Sequence, residues 1–317
     1  MMSSKERTRR LTADADGIAQ AAGIIAAGGL VALPTETVYG LAARADNSDA
    51  VAAIYAAKGR PSFNPLIVHV ASLEAAQSLA VFDAAALELA RSAWPGPLTL
   101  VLPRSPDARL AEAVTAGLPT VAVRVPSHPV MRAVLKTCGL PVAAPSANRS
   151  GAVSPTSAQH VLQSLHNRID LVLDAGASPG GLESTIVAVR PDGSLEELRP
   201  GPLDLADFTA KLRGATSASG AGGIEAPGQL ARHYAPGKPL RLDAAQPDDD
   251  EFFIGFASAN GADCDLSSSG DLIEAAAQLY ACLHLAAASP KPRIAVAPVP
   301  MDGVGRAIND RLRRAAA

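Results

Sequence analysis

Aromatic side chains make up only 3% of this 317-residue chain, with one tryptophan, four tyrosines and six phenylalanines. Single-stranded nucleic acid is gripped by rings on which bases stack, so this scarcity weighs against that class of protein. It also leaves the core to Ala, Val, Leu and Ile. Lysine is scarce as well, with six in the chain, and the formal net charge is −3. No global positive field therefore draws the protein onto nucleic acid or an anionic membrane, although a local basic pocket is compatible with this balance. The three cysteines, Cys138, Cys264 and Cys282, are far apart, odd in number and form no CxxC. Neither a disulfide framework nor a zinc site is expected from them. The longest apolar runs, such as Leu140–Pro145 and Ile294–Val299, fall far short of the roughly 20 residues that a membrane helix needs. No apolar segment follows the charged stretch Met1–Arg10, so it reads as a frayed tail rather than a secretory signal, and the cytoplasm is the expected compartment.

Common nucleotide and hydrolase signatures are missing too. There is no GxxxxGK[ST], no GxGxxG after a strand, no HExxH and no kinase set. A phosphate-handling enzyme built from this chain needs a less common architecture.

What is present is an ordinary globular composition, 48% hydrophobic and 19% charged. That excludes global disorder, and at roughly 150 residues per domain it suggests two domains. Hydrophobic periodicity predicts helices at Ala13–Ala27, Asp49–Ala57, Leu73–Leu79, Asp83–Arg91, Pro129–Thr137 and Gln159–Leu165. It predicts strands at Leu30–Leu33, Leu66–Val70, Leu98–Leu102, Thr120–Val125, Pro141–Ala144, Leu171–Leu173 and Thr185–Val189. This mixture describes one α/β domain over residues 13–205, after a flexible tail at 1–12. Residues 213–228 are rich in Gly, Ala and Ser and read as an interdomain linker, within a segment placed at 206–238. Strands at Leu240–Leu242, Phe252–Ala257 and Ile294–Val299, with helices at Leu272–Ala288 and Val304–Arg314, predict a smaller α/β, Rossmann-like domain over 239–317. The acidic run Asp248–Glu251 reads as a solvated loop.

Polar residues recur at the predicted strand ends, where open α/β sheets place ligands. Pro34-Thr-Glu-Thr-Val-Tyr-Gly40 follows a strand directly, although Thr35 or Thr37 would also serve as a plain helix cap. Lys58-Gly-Arg-Pro-Ser-Phe-Asn-Pro65 offers Lys58 and Arg60 for phosphate oxygens, or forms a solvated basic loop. His69 ends an apolar strand, the usual place of a core histidine. In Thr120–Val125 a period of two puts Thr120, Ala122 and Arg124 on one face, and a buried arginine needs an anion there. That anion is either an internal Asp or Glu or a substrate carboxylate. Ser146 and Asn148 leave a strand among small residues, Ser184 and Thr185 precede another, and Arg199 adds a cation. No nucleophile–base pair and no metal cluster is visible, which suggests a site that positions anionic reactants and lets a substrate act as nucleophile.

The segments PTETVYGL, KGRPSFNPLIVHV, WPGPLTLVL, TVAVRVP, APSANRSG, GLESTIV and LRPG occur in this order over residues 14–205. They resemble the YrdC-type family of threonylcarbamoyl-AMP synthases. Pro227-Gly-Gln-Leu-Ala-Arg-His-Tyr-Ala-Pro236 and Val304–Leu312 are similar to the post-linker motif and closing helix of its longer, two-domain members. The resemblance implies a twisted mixed sheet with a concave cationic cavity. It implies a reaction of L-threonine, bicarbonate and ATP to threonylcarbamoyl-AMP and pyrophosphate, with Mg²⁺ carried by ATP and no tightly bound protein metal. It implies that Thr37, His69, Arg124, Ala144 and Ser184 hold threonine. Lys58, Arg60, Asn64, Thr120, Ser146, Asn148, Ser154, Arg199 and Tyr234 would hold ATP, with Lys58 and Arg60 nearest the phosphates and Tyr234 folded over the nucleotide as a lid. A partner transferase would pass the group to the adenosine beside the anticodon of tRNA, with at most a weak tRNA contact by this chain and none with a membrane. The competing expectations are a hydrogenase-maturation carbamoyltransferase, which carries CxxC zinc motifs absent here, and an RNA-binding or ribosome-maturation module that grips a duplex in the basic cavity.

Overall fold

A computed structural model describes residues 7–206, 225–229, 233–257 and 260–317. Most of the predicted linker, at 207–224 and 230–232, lies outside the described residues. The first domain is built on ten strands: β1 (Arg9–Thr12), β2 (Val31–Leu33), β3 (Gly40–Arg44), β4 (Ile67–His69), β5 (Leu98–Pro103), β6 (Thr120–Arg124), β7 (Val142–Ala143), β8 (Leu171–Asp174), β9 (Thr185–Val189) and β10 (Leu195–Arg199). Their order in the sheet is β1-β8-β2-β3-β7-β4-β6-β5-β9-β10, and the pairings are mixed. The helices are α1 (Ala15–Ala26), α2 (Ser48–Lys58), α3 (Leu73–Gln77), α4 (Ala84–Ala93), α5 (Glu112–Thr115), α6 (Pro129–Cys138) and α7 (Ala158–Leu165).

Local chemistry explains most of these boundaries. The side chain of Asp14 caps α1 by accepting from Gly17 N, and Asn47 caps α2 by accepting from Ala50 N. Gly59 ends α2 at φ 61°, a conformation that costs glycine nothing. The alternation expected in β6 is realised. Val121 and Val123 sit in the main core with Ile54, Leu66 and Leu100. Ala122 turns to the other face beside Ile67, Ile186 and Ala226. Helices α1 and α6 seal a further part of the sheet through Ile25, Leu33, Met131, Leu135 and Leu171. Each such fully buried side chain contributes roughly 1.5–3 kcal/mol.

Two expectations are corrected here. Arg9–Thr12 is not part of a frayed tail: it pairs in parallel with Leu171–Asp174 as the edge strand β1. Its sequence, RRLT, is charged and mostly exposed, as edge strands commonly are, so it carries no buried-strand signal. The cysteines also depart from the prediction, because Cys264 and Cys282 are joined in a disulfide with Cα atoms 5.9 Å apart.

The second domain holds β11 (Leu240–Arg241), β12 (Glu251–Gly255), β13 (Cys264–Asp265), α8 (Leu272–Ala288), β14 (Arg293–Val296) and α9 (Gly305–Ala316). Its four strands run parallel in the order β11-β14-β12-β13. With β13 at one edge beside β12 and α8 packed on the sheet, residues 18 positions apart meet and the disulfide closes. No described helix is long and apolar enough to cross a membrane.

The two domains share one apolar cluster. Val38, Val153, Leu182 and Tyr234 pack with Leu279, Tyr280, Leu283 and Ile308. At this seam His284 of α8 stacks on His160 of α7 with ring centroids 3.8 Å apart, and its Nε2 lies 3.1 Å from the Ser154 carbonyl. Gly181 permits the closest approach. It has φ +69°, and a Cβ there would stand 2.3 Å from the Ala276 carbonyl oxygen and 2.5 Å from the Ala277 Cα. Those atoms belong to the backbone of α8 and have no rotamer by which to give way. Gly181→Ala is therefore expected to lift α8 off the first domain and to cost about 2–4 kcal/mol. Limited proteolysis should then cut between the domains faster than in the wild type; an unchanged cleavage rate would show that the seam tolerates the methyl group.

Candidate active site

The sheet topology brings six chain segments to one place. Strands β4 and β6 run in parallel with His69 opposite Arg124, so both side chains stand at the carboxyl ends of neighbouring strands. Strand β5 runs against β6 and alongside β9, with Leu98 opposite Thr185, which puts Ser184 beside the same end. The loop between β2 and β3 and the chain leaving β7 meet at a bridge between Gly40 and Ser146. The end of β10 adds Arg199, and Pro227–Gly228 with His233–Tyr234 close the top. Together they line a cavity of about 50 Å³.

The loop after β2 makes a hydroxyl-based turn, and β3, not a helix, follows it. The Thr35 hydroxyl donates to the Val38 carbonyl at 2.6 Å and accepts from the Thr37 and Val38 amides at 3.2 Å. Thr35 thus shapes the turn, and Thr37 is left to face Arg124. Arg124, only 3% exposed, donates from Nε to the Gly96 carbonyl (3.1 Å), from Nη1 to the Thr37 hydroxyl (3.1 Å) and from Nη2 to Glu36 (2.6 Å). An internal carboxylate and a place on the cavity wall are therefore both true of Arg124. Three of its five N–H groups are engaged, which leaves two for a ligand. Glu36 also accepts from the His128 amide at 3.3 Å. Burial opposes its charge, but the Arg124 guanidinium holds its carboxyl down at about 2. His69 is buried beside Arg124, and burial together with that cation pushes its imidazole down to about 3. The ring is neutral at physiological pH, and its Nδ1 has no partner among the described residues.

The other end of the cavity carries Arg60 and Arg199. Arg60 donates to the side chain of Asn64 (2.7 Å) and to the Asn64 and Pro65 carbonyls (3.2 and 2.9 Å). Arg199 donates from Nε and Nη2 to the Ser184 carbonyl (3.1 and 2.9 Å) and from Nη2 to the Ser184 hydroxyl (3.0 Å), which itself sits 2.8 Å from Thr99. Nη1 of Arg199 reaches the Pro227 carbonyl at 3.4 Å. Gly228 has φ +90°, and a Cβ there would come within 2.8 Å of Arg199 Cδ, so the closing segment can lie on this arginine only with glycine at that point.

Of the residues expected at the site, Thr37, Arg60, His69, Arg124, Ala144, Ser146, Ser184, Arg199 and Tyr234 line the cavity. The remaining predicted residues stand behind or beside it. Lys58 is buried, and its Nζ donates to the carbonyls of Ser146 (2.6 Å) and Asn148 (2.5 Å), bracing that turn from below. Burial and nearby Arg60 lower its pKa well below the usual lysine range. Asn64 braces Arg60, Asn148 donates to the Ala152 carbonyl (2.7 Å), and the Ser154 hydroxyl donates to Glu183 (2.5 Å). Thr120 begins β6, about 13 Å along the strand from Arg124.

Glu36, Glu183 and His233 are the members that sequence reasoning missed. The first two are acidic neighbours of residues assigned to anionic ligands, Glu36 between Thr35 and Thr37 and Glu183 before Ser184. Their only sequence signal is the unpaired arginine elsewhere in the same pattern. His233 precedes Tyr234 in the closing segment, and burial pushes it down to about 3.

The family described as telomere recombination, Sua5/YciO/YrdC, matches residues 23–201. The family described as threonylcarbamoyl-AMP synthase, C-terminal domain, matches residues 194–317. The chain belongs to the Sua5/YrdC family of threonylcarbamoyl-AMP synthases. It is 44% identical over 246 residues to the threonylcarbamoyl-AMP synthase of Bacillus subtilis, an alignment covering 76% of this chain and 70% of that one. It is equally identical over 222 residues to the threonylcarbamoyl-AMP synthase of Pyrococcus abyssi, covering 68% of this chain and 64% of that one. In structure it is similar to P. abyssi Sua5 complexed with L-threonine, with a TM-score of 0.87, 35% identity and coverage of 98% and 96%. Escherichia coli YciO, at 21% identity and a TM-score of 0.55, shares the fold of the first domain. The two-domain Sua5 architecture is thus that of this chain from end to end of the alignment.

Among the described residues, no three His, Cys, Asp or Glu side chains are grouped to hold a metal ion. The two carboxylates at the Sua5-type cavity are each engaged by an arginine. The pH dependence of this arrangement has a defined sign. Glu36 has a folded pKa of about 2 against a normal 4.5. Its stabilising contribution is therefore complete above about pH 4.5 and is lost as the pH falls toward 2. Thermal melts between pH 5 and 2 should show a fall that is shallower in Glu36→Gln; equal slopes would show that the pair is not what acid breaks.

Proposed function

We propose that the chain condenses L-threonine, bicarbonate and ATP into L-threonylcarbamoyl-AMP and pyrophosphate. The observation that carries this reading is Arg124, which faces the cavity with two free N–H groups beside Thr37 and a neutral His69. Relatives with the same pair of domains are named for this product, and the similar P. abyssi structure is a complex with L-threonine.

In this reading the threonine carboxylate takes the two remaining N–H groups of Arg124, and Ala144 leaves room beside them. Thr37, Ser184 and the unpartnered Nδ1 of His69 meet the polar atoms of the amino acid. The neutral threonine amine attacks the carbon of carbon dioxide, losing a proton, or that of bicarbonate, expelling water, to give a carbamate. A carbamate oxygen then attacks the α-phosphorus of ATP, and the bond to the β-phosphate oxygen breaks to release pyrophosphate. No protein nucleophile is needed. Arg60 and Arg199 would face the phosphates, with Lys58 behind the Ser146–Asn148 turn adding to the field there. Asn64, Thr120, Ser146, Asn148 and Ser154 would fix the rest of the nucleotide. The cation carried by ATP would screen its charge, since the carboxylates here are already committed to arginines.

A cavity of about 50 Å³ has room for one or two water molecules, whereas pockets for ligands of drug size run to several hundred. ATP therefore enters only when Pro227–Gly228 and His233–Tyr234 lift, and Tyr234 closes over the nucleotide afterwards. The product would pass to a transferase that loads the threonylcarbamoyl group onto the adenosine beside the anticodon, in the cytoplasm. The RNA-gripping alternative has nothing to support it in this geometry, because Arg60, Arg124 and Arg199 are buried around one small cavity instead of spread over a surface.

Two measurements test the reading. Pyrophosphate release from ATP and Mg²⁺ should require both threonine and bicarbonate, and release that ignores either omission would refute it. Arg124→Ala should raise the KM for threonine by an amount equivalent to about 2–4 kcal/mol, because a buried carboxylate loses its charged partner, and leave ATP binding much less affected. Equal loss of both ligands would remove Arg124 from the threonine end.

A further inference from the structure

The role of the second domain is written in the contacts of one carboxylate. Glu183 lines the cavity beside Ser184, yet most of its partners are not part of the first domain's sheet. Its Oε1 accepts from the Ser154 hydroxyl at 2.5 Å. Its Oε2 accepts from the Tyr280 hydroxyl of α8 at 2.8 Å and from Nε of Arg311 in α9 at 3.0 Å. Tyr280 and Arg311 are both completely buried. The same two residues hold the closing segment: the Tyr234 ring stacks on Tyr280 at 5.6 Å, and the Arg311 guanidinium carbon stands 5.4 Å from the Tyr234 ring centroid. Tyr234 itself sits at φ 63°, a backbone state that a tyrosine keeps only when its surroundings impose it. Nη1 of Arg311 donates to Asp310 at 2.8 Å, and Nη2 has no partner among the described residues.

A buried carboxylate without a cation is strongly unfavourable. If Arg311 were absent, the next cation whose charge reaches Glu183 is Arg199, which carries the nucleotide end of the cavity. Glu183 would then draw Arg199 away from its place on Ser184 and Pro227. The Tyr234 ring would lose its cation at the same time. Ser184 would lose the Arg199 donor, but Arg124, Thr37 and His69 make no hydrogen bond or ion pair to Glu183, Tyr280 or Arg311, so the part of the threonine end that meets the carboxylate would be spared.

We propose that Arg311 and Tyr280 are positioning residues of the nucleotide half of the site, and that the second domain supplies them in order to hold Glu183 and Tyr234 in their working places. This rests on the synthase reading and deepens it. The domain is a fixed wall of the ATP site, and the threonine end works without it.

The test uses the full chain with Arg311→Ala, Arg311→Lys and Tyr280→Phe, read by pyrophosphate release and by calorimetry with ATP·Mg²⁺ and with L-threonine. Arg311→Ala should raise the KM for ATP at least tenfold while the KM for threonine stays within threefold. Arg311→Lys should recover part of the loss, since it keeps a cation near Glu183. Tyr280→Phe keeps the stacked ring, removes one hydrogen bond and should raise the KM for ATP about threefold. A KM for ATP within twofold of the wild type in all three, or equal rises for both substrates, would overturn the proposal. If Arg311→Ala fails to fold, Tyr280→Phe and Arg311→Lys decide by the same criterion. The calorimetric affinities give the same comparison whether or not pyrophosphate is released, so failure of the synthase reading and failure of this proposal are told apart.

Discussion

A cation taken out of water must be met by negative charge, and this requirement organises the protein. Four basic side chains, Lys58, Arg60, Arg124 and Arg199, are buried at one end of one sheet. Left alone, each would cost several kcal/mol after relaxation. The structure answers with different devices. Lys58 and Arg60 are ringed by backbone carbonyls and an asparagine, and Lys58 bears a strongly lowered affinity for its proton. Arg124 has a carboxylate within its own domain, Glu36. Arg199 rests on carbonyl oxygen and on the nearby charge of Glu183, whose salt bridge is made by the other domain. In the proposed reaction the anionic substrates would complete this balance, for among the described residues Arg124 uses three of its five donors and His69 keeps an unpartnered nitrogen.

Sheet topology turns this chemistry into geometry. The parallel pairing of β4 with β6 sets His69 against Arg124, and antiparallel β5 carries the same edge across to Ser184. The proposed threonine and nucleotide ends would thereby lie side by side, so that a carbamate formed at one would be within reach of a phosphorus held at the other. Positioning of this kind can supply much of the rate without any group of the protein entering a covalent bond.

Much of this was legible in the sequence where one residue decides one outcome. The period of two in Thr120–Val125 foretold which face Arg124 takes, because a strand has only two faces. The helix at Leu272–Ala288 was read to the residue, since Asp271 caps it and Ser289 and Pro290 end it. What could not be read depends on partners distant in the chain. Glu36 and Glu183 stand beside residues expected to bind anions, and only the fold shows that they neutralise arginines 88 and 128 positions away. Strand β1 was invisible because pairing with β8, not burial, makes RRLT a strand. The link between Cys264 and Cys282 follows from strand order, which spacing does not encode.

The pair formed by Glu183 and Arg311 also has a history in time. A ribosome makes the first domain, with Arg199 at its end, more than a hundred residues before it makes Arg311. At ordinary rates of elongation that interval is on the order of ten seconds, ample for the earlier part to collapse. During it Glu183 has only the charge of Arg199 and the Ser154 hydroxyl to meet it, and apolar residues such as Val38 and Leu182 that later pack on the second domain still face water. The ion pair between Glu183 and Arg311 is therefore among the late contacts to form during synthesis, after the first domain's own sheet is complete.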